Sequence, residues 1–201
     1  MEIEELRPGL HRWTADHPGA VLDPKPGSPA DWGPAVGSVA YEARDALLLV
    51  DPLVPDHGWA ALDALVARHG RRVTVITTIG FHRRSRPAVV ERYGAATSRA
   101  KKTLPEDVET FAITGAGETM VWLPEPRALI PGDRVLGDDE GGLRVCPASW
   151  LRYLPSGITR AQLAEELRPL LDLPIELVLA SHGEPVLTGG REALRRAIES
   201  P

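Results

Sequence analysis

The sequence predicts an α/β fold in which two mixed β-sheets pack face to face and helices cover the outer faces, an αββα sandwich. Three observations predict it. Ala46–Val50 is a continuous apolar run, the pattern of a strand buried on both faces, and Val73–Thr77 and Ile175–Ala180 read as two further short buried strands. The strand-like segments fall into two groups along the chain. Each group is followed by segments whose apolar residues recur at helical spacing.

In order, Gly9–Trp13 reads as an opening strand, and 17–34 as a loop too rich in Pro and Gly for regular structure. Ala35–Tyr41 alternates as a strand does, and Ala46–Val50 ends in Asp51-Pro52. Leu62, Leu65 and Val66 mark a helix over 59–69, stopped by Gly70. After the strand at 73–77, a second helix runs over 86–93, with Pro87 in its first turn, where no N–H donor is needed, and Gly94 at its end. Thr110–Ile113 and Glu118–Leu123 read as strands joined through Gly115-Ala116-Gly117. Ala128–Ile130 leads to Pro131-Gly132-Asp133. Thr159 is placed to cap an amphipathic helix reaching Leu171. The run at 175–180 ends at Ser181-His182-Gly183, and a last helix covers 190–198. The segments 14–34 and 138–157 are long connections expected to shape a cleft.

The totals narrow the function classes. A chain of 201 residues, 43% hydrophobic, suits a single domain spanning 1–201 with a substantial core. A net charge of −5, with only Lys25, Lys101 and Lys102 as lysines and no basic stripe, argues against nucleic acid as a partner. No apolar run approaches the length of a membrane span. Cys146 is the only cysteine, so no intrachain disulfide forms. With an acidic start lacking an apolar signal core, this makes a cytoplasmic location the expectation.

Four landmarks carry a resemblance. Leu47-Leu-Leu-Val-Asp51 is an apolar strand ending in aspartate. Thr77-Thr-Ile-Gly-Phe-His-Arg83 precedes a helix that ends at Tyr93-Gly94. Val121–Asp133 delivers an aspartate after Pro-Gly, and Val178–Val186 delivers His182 after a strand. In this order and spacing they resemble the metallo-β-lactamase superfamily over about three-quarters of the chain, and this implies a hydrolase; the bias to Arg, Ala, Pro and Gly fits a GC-rich bacterial genome. The departures are as informative. In the register that aligns Thr77 with the motif threonine, Thr78 and Gly80 stand where the first two motif histidines belong. His82 stands at the aspartate and Arg83 at the third histidine. Ala116 takes the place of a further histidine.

The resemblance thus implies a first ion site stripped of its ligands and a second site reduced to His82, Asp133 and His182. Two imidazoles and one carboxylate suit at most one zinc or iron ion. In that reading Asp133 and His182 are catalytic, and Arg83 steadies an oxyanion or a substrate carboxylate in the hydrolysis of an ester, thioester or amide. The opposed expectation is an inactive relative whose cleft binds a small ligand or protein partner. A third is metal-free chemistry with His82 or His182 as base, Asp133 orienting it, and Ser85 or Ser181 nearby. Plainer roles compete for the same residues. His82 suits a surface loop, Asp133 a turn, and Asp51 a strand end where it accepts loop N–H bonds. Cys146 lacks a neighbouring histidine and is not expected to be a nucleophile.

Overall fold

The computed structural model describes residues 1–98, 103–138 and 140–200; Lys101 and Lys102 lie outside the described residues. The first sheet has six strands in chain order: β1 (Glu4–Arg7), β2 (Leu10–Asp16), β3 (Ala35–Glu42), β4 (Ala46–Val50), β5 (Arg72–Ile76) and β6 (Ala96–Ser98). β1 to β4 pair antiparallel, and β4, β5 and β6 run parallel. The parallel steps are made through α1 (Trp59–His69) and α2 (Arg86–Tyr93). The second sheet has the order β12-β9-β8-β7, built from β7 (Glu109–Ile113), β8 (Glu118–Leu123), β9 (Ala128–Ile130) and β12 (Leu177–Val178). Its β12 and β9 are parallel. A separate hairpin pairs β10 (Val135–Gly137) with β11 (Leu143–Val145).

Alternation decides the layering. In β4, Leu48 and Val50 face the second sheet and pack with Val121, Leu123, Ile130 and Leu179. Leu47 and Leu49 face the other way, onto Leu62 and Leu65 of α1 and Val89 of α2. The far side of the second sheet, with Met120, Trp122 and Leu129, is covered by α4 (Arg160–Leu167) and α5 (Gly190–Glu199), through Leu163, Leu167, Leu194 and Ile198. Each sheet is buried on both faces, which is why the β4 run is uniformly apolar.

Three details differ from the sequence expectation. The helix from Thr159 is capped as expected, Gln162 and Thr159 bonding reciprocally, but it ends at Leu167 and continues as a 3₁₀ turn over Arg168–Asp172. Pro169 is the cause, since it cannot donate to the α-helical ladder. The run 175–180 is fully paired as a strand only at Leu177–Val178, and Val178 is bridged to Val186. The connection 138–157 contains β11 and the short helix α3 (Ala148–Leu151).

Candidate metal centre

Two pairs of parallel strands end at the same edge of the sandwich. Asp51 follows β4 and Thr78 follows β5, with Val50 and Ile76 in register. Asp133 follows β9 and His182 follows β12, with Leu129 and Val178 in register. Main-chain bonds tie the two sheets here: Thr119 N–H donates to Thr78 O at 2.8 Å, and Gly37 N–H to Ser181 O at 2.7 Å. The cavity at this edge holds about 430 Å³.

A chain of side chains crosses the cavity floor. Thr78 N–H donates to Asp51 Oδ1 at 2.8 Å, and the Thr78 hydroxyl donates to Asp51 Oδ2. Asp51 Oδ2 lies 2.8 Å from His82 Nδ1. His82 Nε2 lies 2.8 Å from Asp133 Oδ1, and His182 Nε2 lies 3.2 Å from the same oxygen. His82, Asp51 and His182 are all buried. Burial alone would lower the His82 pKa. The nearby charges of Asp51 and Asp133, and the bond to Asp51, outweigh it and push His82 up to about 9. Asp133 is held well below the usual carboxylate range, since the two histidines overcome the opposing effect of its burial. His182 goes the other way, because burial disfavours its cation.

Glu118 is a fully enclosed carboxylate beneath this chain. It accepts the backbone N–H groups of Gly132 (3.0 Å), Asp133 (2.7 Å) and Arg134 (3.0 Å), and so fixes the main chain that carries Asp133. Burial and the nearby Asp133 charge raise its pKa to about 7, against the pull of Arg134 and those N–H groups. Thr78 and Glu118 together leave no room beside Gly132: a Cβ there would lie 2.6 Å from Thr78 Oγ1 and 2.9 Å from Glu118 Oε2. A hydroxyl and a carboxylate therefore fill the space next to the ligand set.

His82, Asp133 and His182 are brought together, with ligand-type atoms of all three within 4.8 Å of one another. The set fits one divalent ion on three grounds. Two imidazoles and a carboxylate are suitable donors. Asp133 Oδ1 is buried without a well-aligned hydrogen bond, although both imidazoles approach it. His82 turns Nε2 to the site because Asp51 holds Nδ1, the carboxylate–histidine arrangement that orients metal ligands.

Arg83 is exposed and does not line the cavity. Its neighbour Arg84 does, and donates to Gly37 O (2.8 Å), Asp51 O (2.9 Å) and Ser181 Oγ (2.6 Å). The chain turns at this point, from a 3₁₀ turn over Gly80–Arg83 to Arg84 at φ 34°, and Asp51 sits at φ 47°. Both are conformations that disfavour a side-chain-bearing residue and persist only where the surroundings enforce them. Neither serine is a free nucleophile: Ser85 Oγ is engaged with Val54 N and O, and Ser181 Oγ accepts from Arg84. The buried Cys146 thiol is pushed up to about 11 by burial, so it stays protonated. Missed in the sequence were Glu118, the bonds by which Arg84 ties Gly37, Asp51 and Ser181, and the link from Asp51 to His82.

No family model and no curated protein matches the sequence. Solved structures do match in fold. A metallo-β-lactamase from Hirschia baltica is 17% identical, with a TM-score of 0.62 over 98% of this chain and 96% of that one. The metallo-β-lactamase FIM-1 from Pseudomonas aeruginosa, in its mono-zinc form, is 13% identical, with a TM-score of 0.64 over 98% and 94%. VMB-1 is 13% identical, with a TM-score of 0.67 over 99% and 96%. The chain has the metallo-β-lactamase fold, at identities that establish the fold alone. Among the described residues no helix is long and apolar enough to cross a membrane.

Proposed function

We propose that residues 1–201 act as one domain, a single-ion hydrolase of an ester, thioester or amide, with zinc or iron held by His82, Asp133 and His182. The observation that carries this reading is the convergence of the three donor groups at the floor of the cavity, with His82 oriented from behind by Asp51. When bound, a divalent ion supplies Lewis acidity, polarising a carbonyl and making a water more acidic. The chain's own residues do the rest. Asp51 keeps the Nδ1 proton on His82, and Glu118 holds the main chain of Asp133. Arg84 ties Gly37, Asp51 and Ser181 together, so the ends of both sheets keep their spacing. Trp32 and Trp150 stand edge-on to His182, with ring centroids 5.3 and 5.8 Å away, and limit water around it. A cytoplasmic location belongs to the same proposal, in keeping with one buried, unpaired cysteine.

A second reading, an inactive protein that binds a small ligand or protein partner, draws support from one observation. His82 lies between two carboxylates and is electrostatically satisfied without any ion. Elemental analysis of protein purified without a metal-affinity tag separates the two. The hydrolase reading expects about one equivalent of zinc or iron, absent from His182→Ala and Asp133→Ala. Protein that holds no metal, and takes up none when it is supplied, would leave only the binding reading.

A further inference from the structure

The walls of the cavity above Asp133 are apolar, and their cations are already spent on the protein. Trp32, Phe81, Trp150, Tyr153 and Leu154 form the sides. Phe81 and Tyr153 are 80% and 72% exposed, large rings standing at the mouth with little of the protein packed over them. Trp150 Nε1 donates to Ser28 O at 3.3 Å, which ties the α3 segment to the loop of residues 17–34 and closes the cavity on that side. Two guanidiniums also reach the lining. Arg134 is only 2% exposed and directs Nε and Nη2 to Ala116 O. Arg84 gives three N–H groups to Gly37 O, Asp51 O and Ser181 Oγ, and its Nε is sealed from solvent. Arg84 therefore keeps no paired N–H edge to grip a carboxylate or phosphate, and Arg134 has its Nε–Nη2 edge turned onto Ala116 O. Arg83 lies outside the lining, and no other Lys or Arg lines the cavity among the described residues.

We propose that this cavity takes an uncharged substrate with a sizeable apolar acyl or aryl arm, and discriminates against substrates that carry a carboxylate or phosphate there. The inference rests on the reading of the cavity as the hydrolytic site. The reacting carbonyl would sit at the floor near Asp133, with its apolar arm between the tryptophans and the rings at the mouth. A cavity of about 430 Å³ is of small-molecule size. An anion in it would lose its hydration without gaining a paired donor, which is costly.

The test compares two fluorescent probes of one ring system, neutral N-phenyl-1-naphthylamine and its sulfonate, 1-anilinonaphthalene-8-sulfonate. The neutral probe is expected to bind one per chain, and the sulfonate to displace it about tenfold less well or worse. Phe81→Ala combined with Tyr153→Ala removes only exposed rings, so the variant should fold, and it is expected to weaken the neutral probe about tenfold. No binding of the neutral probe, displacement by the sulfonate at equal strength, or unchanged affinity in the double variant would each overturn the inference. A separate arm compares turnover by zinc-loaded protein of 4-nitrophenyl hexanoate and the mono-4-nitrophenyl ester of adipate. Preference for the hexanoate supports the inference, and preference for the adipate ester overturns it. If the probes behave as expected and neither ester is hydrolysed, the hydrolase reading fails while the chemistry of the cavity stands.

Discussion

Zinc uptake should release one proton per ion, and the proton should come from His82. In the metal-free protein both nitrogens of this ring face carboxylates, Nδ1 at 2.8 Å from Asp51 and Nε2 at 2.8 Å from Asp133. Both nitrogens therefore carry protons, and the pKa stands at about 9. An ion can use Nε2 only by displacing its proton; Nδ1 keeps its own on Asp51. His182 is shifted towards the neutral form and Asp133 towards the ionised form, so neither has a proton to give up near neutrality. At pH 7 the His82 proton lies two units below its pKa, which weakens apparent affinity by about 100-fold relative to the fully deprotonated ring. Apparent zinc affinity should therefore rise about tenfold per pH unit from 7 to 9 and level off above. Competition against a chelator of known affinity at each pH measures the slope, and calorimetry in buffers of different ionisation enthalpy counts the proton. An affinity that is flat between pH 7 and 9, or binding without proton release, would refute this assignment of the His82 proton.

The metal-free protein should itself lose stability as pH rises. The folded pKa of His82, about 9, lies above the ordinary value, so its contribution is complete below about 6.5 and lost through 9, a span worth about 3 kcal/mol at most; urea midpoints at pH 6.5 and 9.5 read it. Asp51→Ala removes the acceptor for Thr78 and the partner of His82 and should cost about 3–5 kcal/mol, measured by urea unfolding at pH 7. Glu118→Gln leaves too few acceptor sites for three backbone N–H groups; it should cost about 1–3 kcal/mol and weaken zinc binding, read by unfolding and by chelator competition. In Gly183→Ala the new methyl would meet the carbonyl of Gly137 from a backbone at φ +77°; the expected loss is about 2–4 kcal/mol with displacement of His182, and a thermal midpoint unchanged from wild type would contradict the packing argument.

How legible all this was depended on what local pattern can carry. The uniformly apolar run at 46–50 and the largely apolar one at 73–77 announced strands buried on both faces because helices cover one side and a sheet the other. The β10–β11 hairpin escaped because each strand is three residues long, too short to show a period. Pro169 was visible as a helix breaker and marks where the α-helix from Thr159 gives way. At the site, His82, Asp133 and His182 could be picked out because each follows a strand of the recognisable order. The choice between Arg83 and Arg84 could not be made from sequence. It turns on a single residue at φ 34°, and nothing about an arginine signals that conformation. Glu118 looked like the polar start of a strand; its burial depends on a loop fourteen to sixteen residues further along folding back over it.

The hydroxyl–carboxylate plug of Thr78 and Glu118 beside Gly132 constrains how this sequence can change. A two-ion site cannot be reached by exchanging ligands one at a time. Histidine at position 78 would have to displace the bonds to Asp51 and crowd Gly132. Gly80 and Arg83 are exposed positions of the 3₁₀ turn and lie outside the cavity lining. The step at 78 gives up packing and hydrogen bonds before any ion can compensate, and a step at 80 or 83 starts outside the cavity. On the proposed one-ion reading, a route to two ions therefore requires rebuilding the 78–84 turn and the Glu118 contact together.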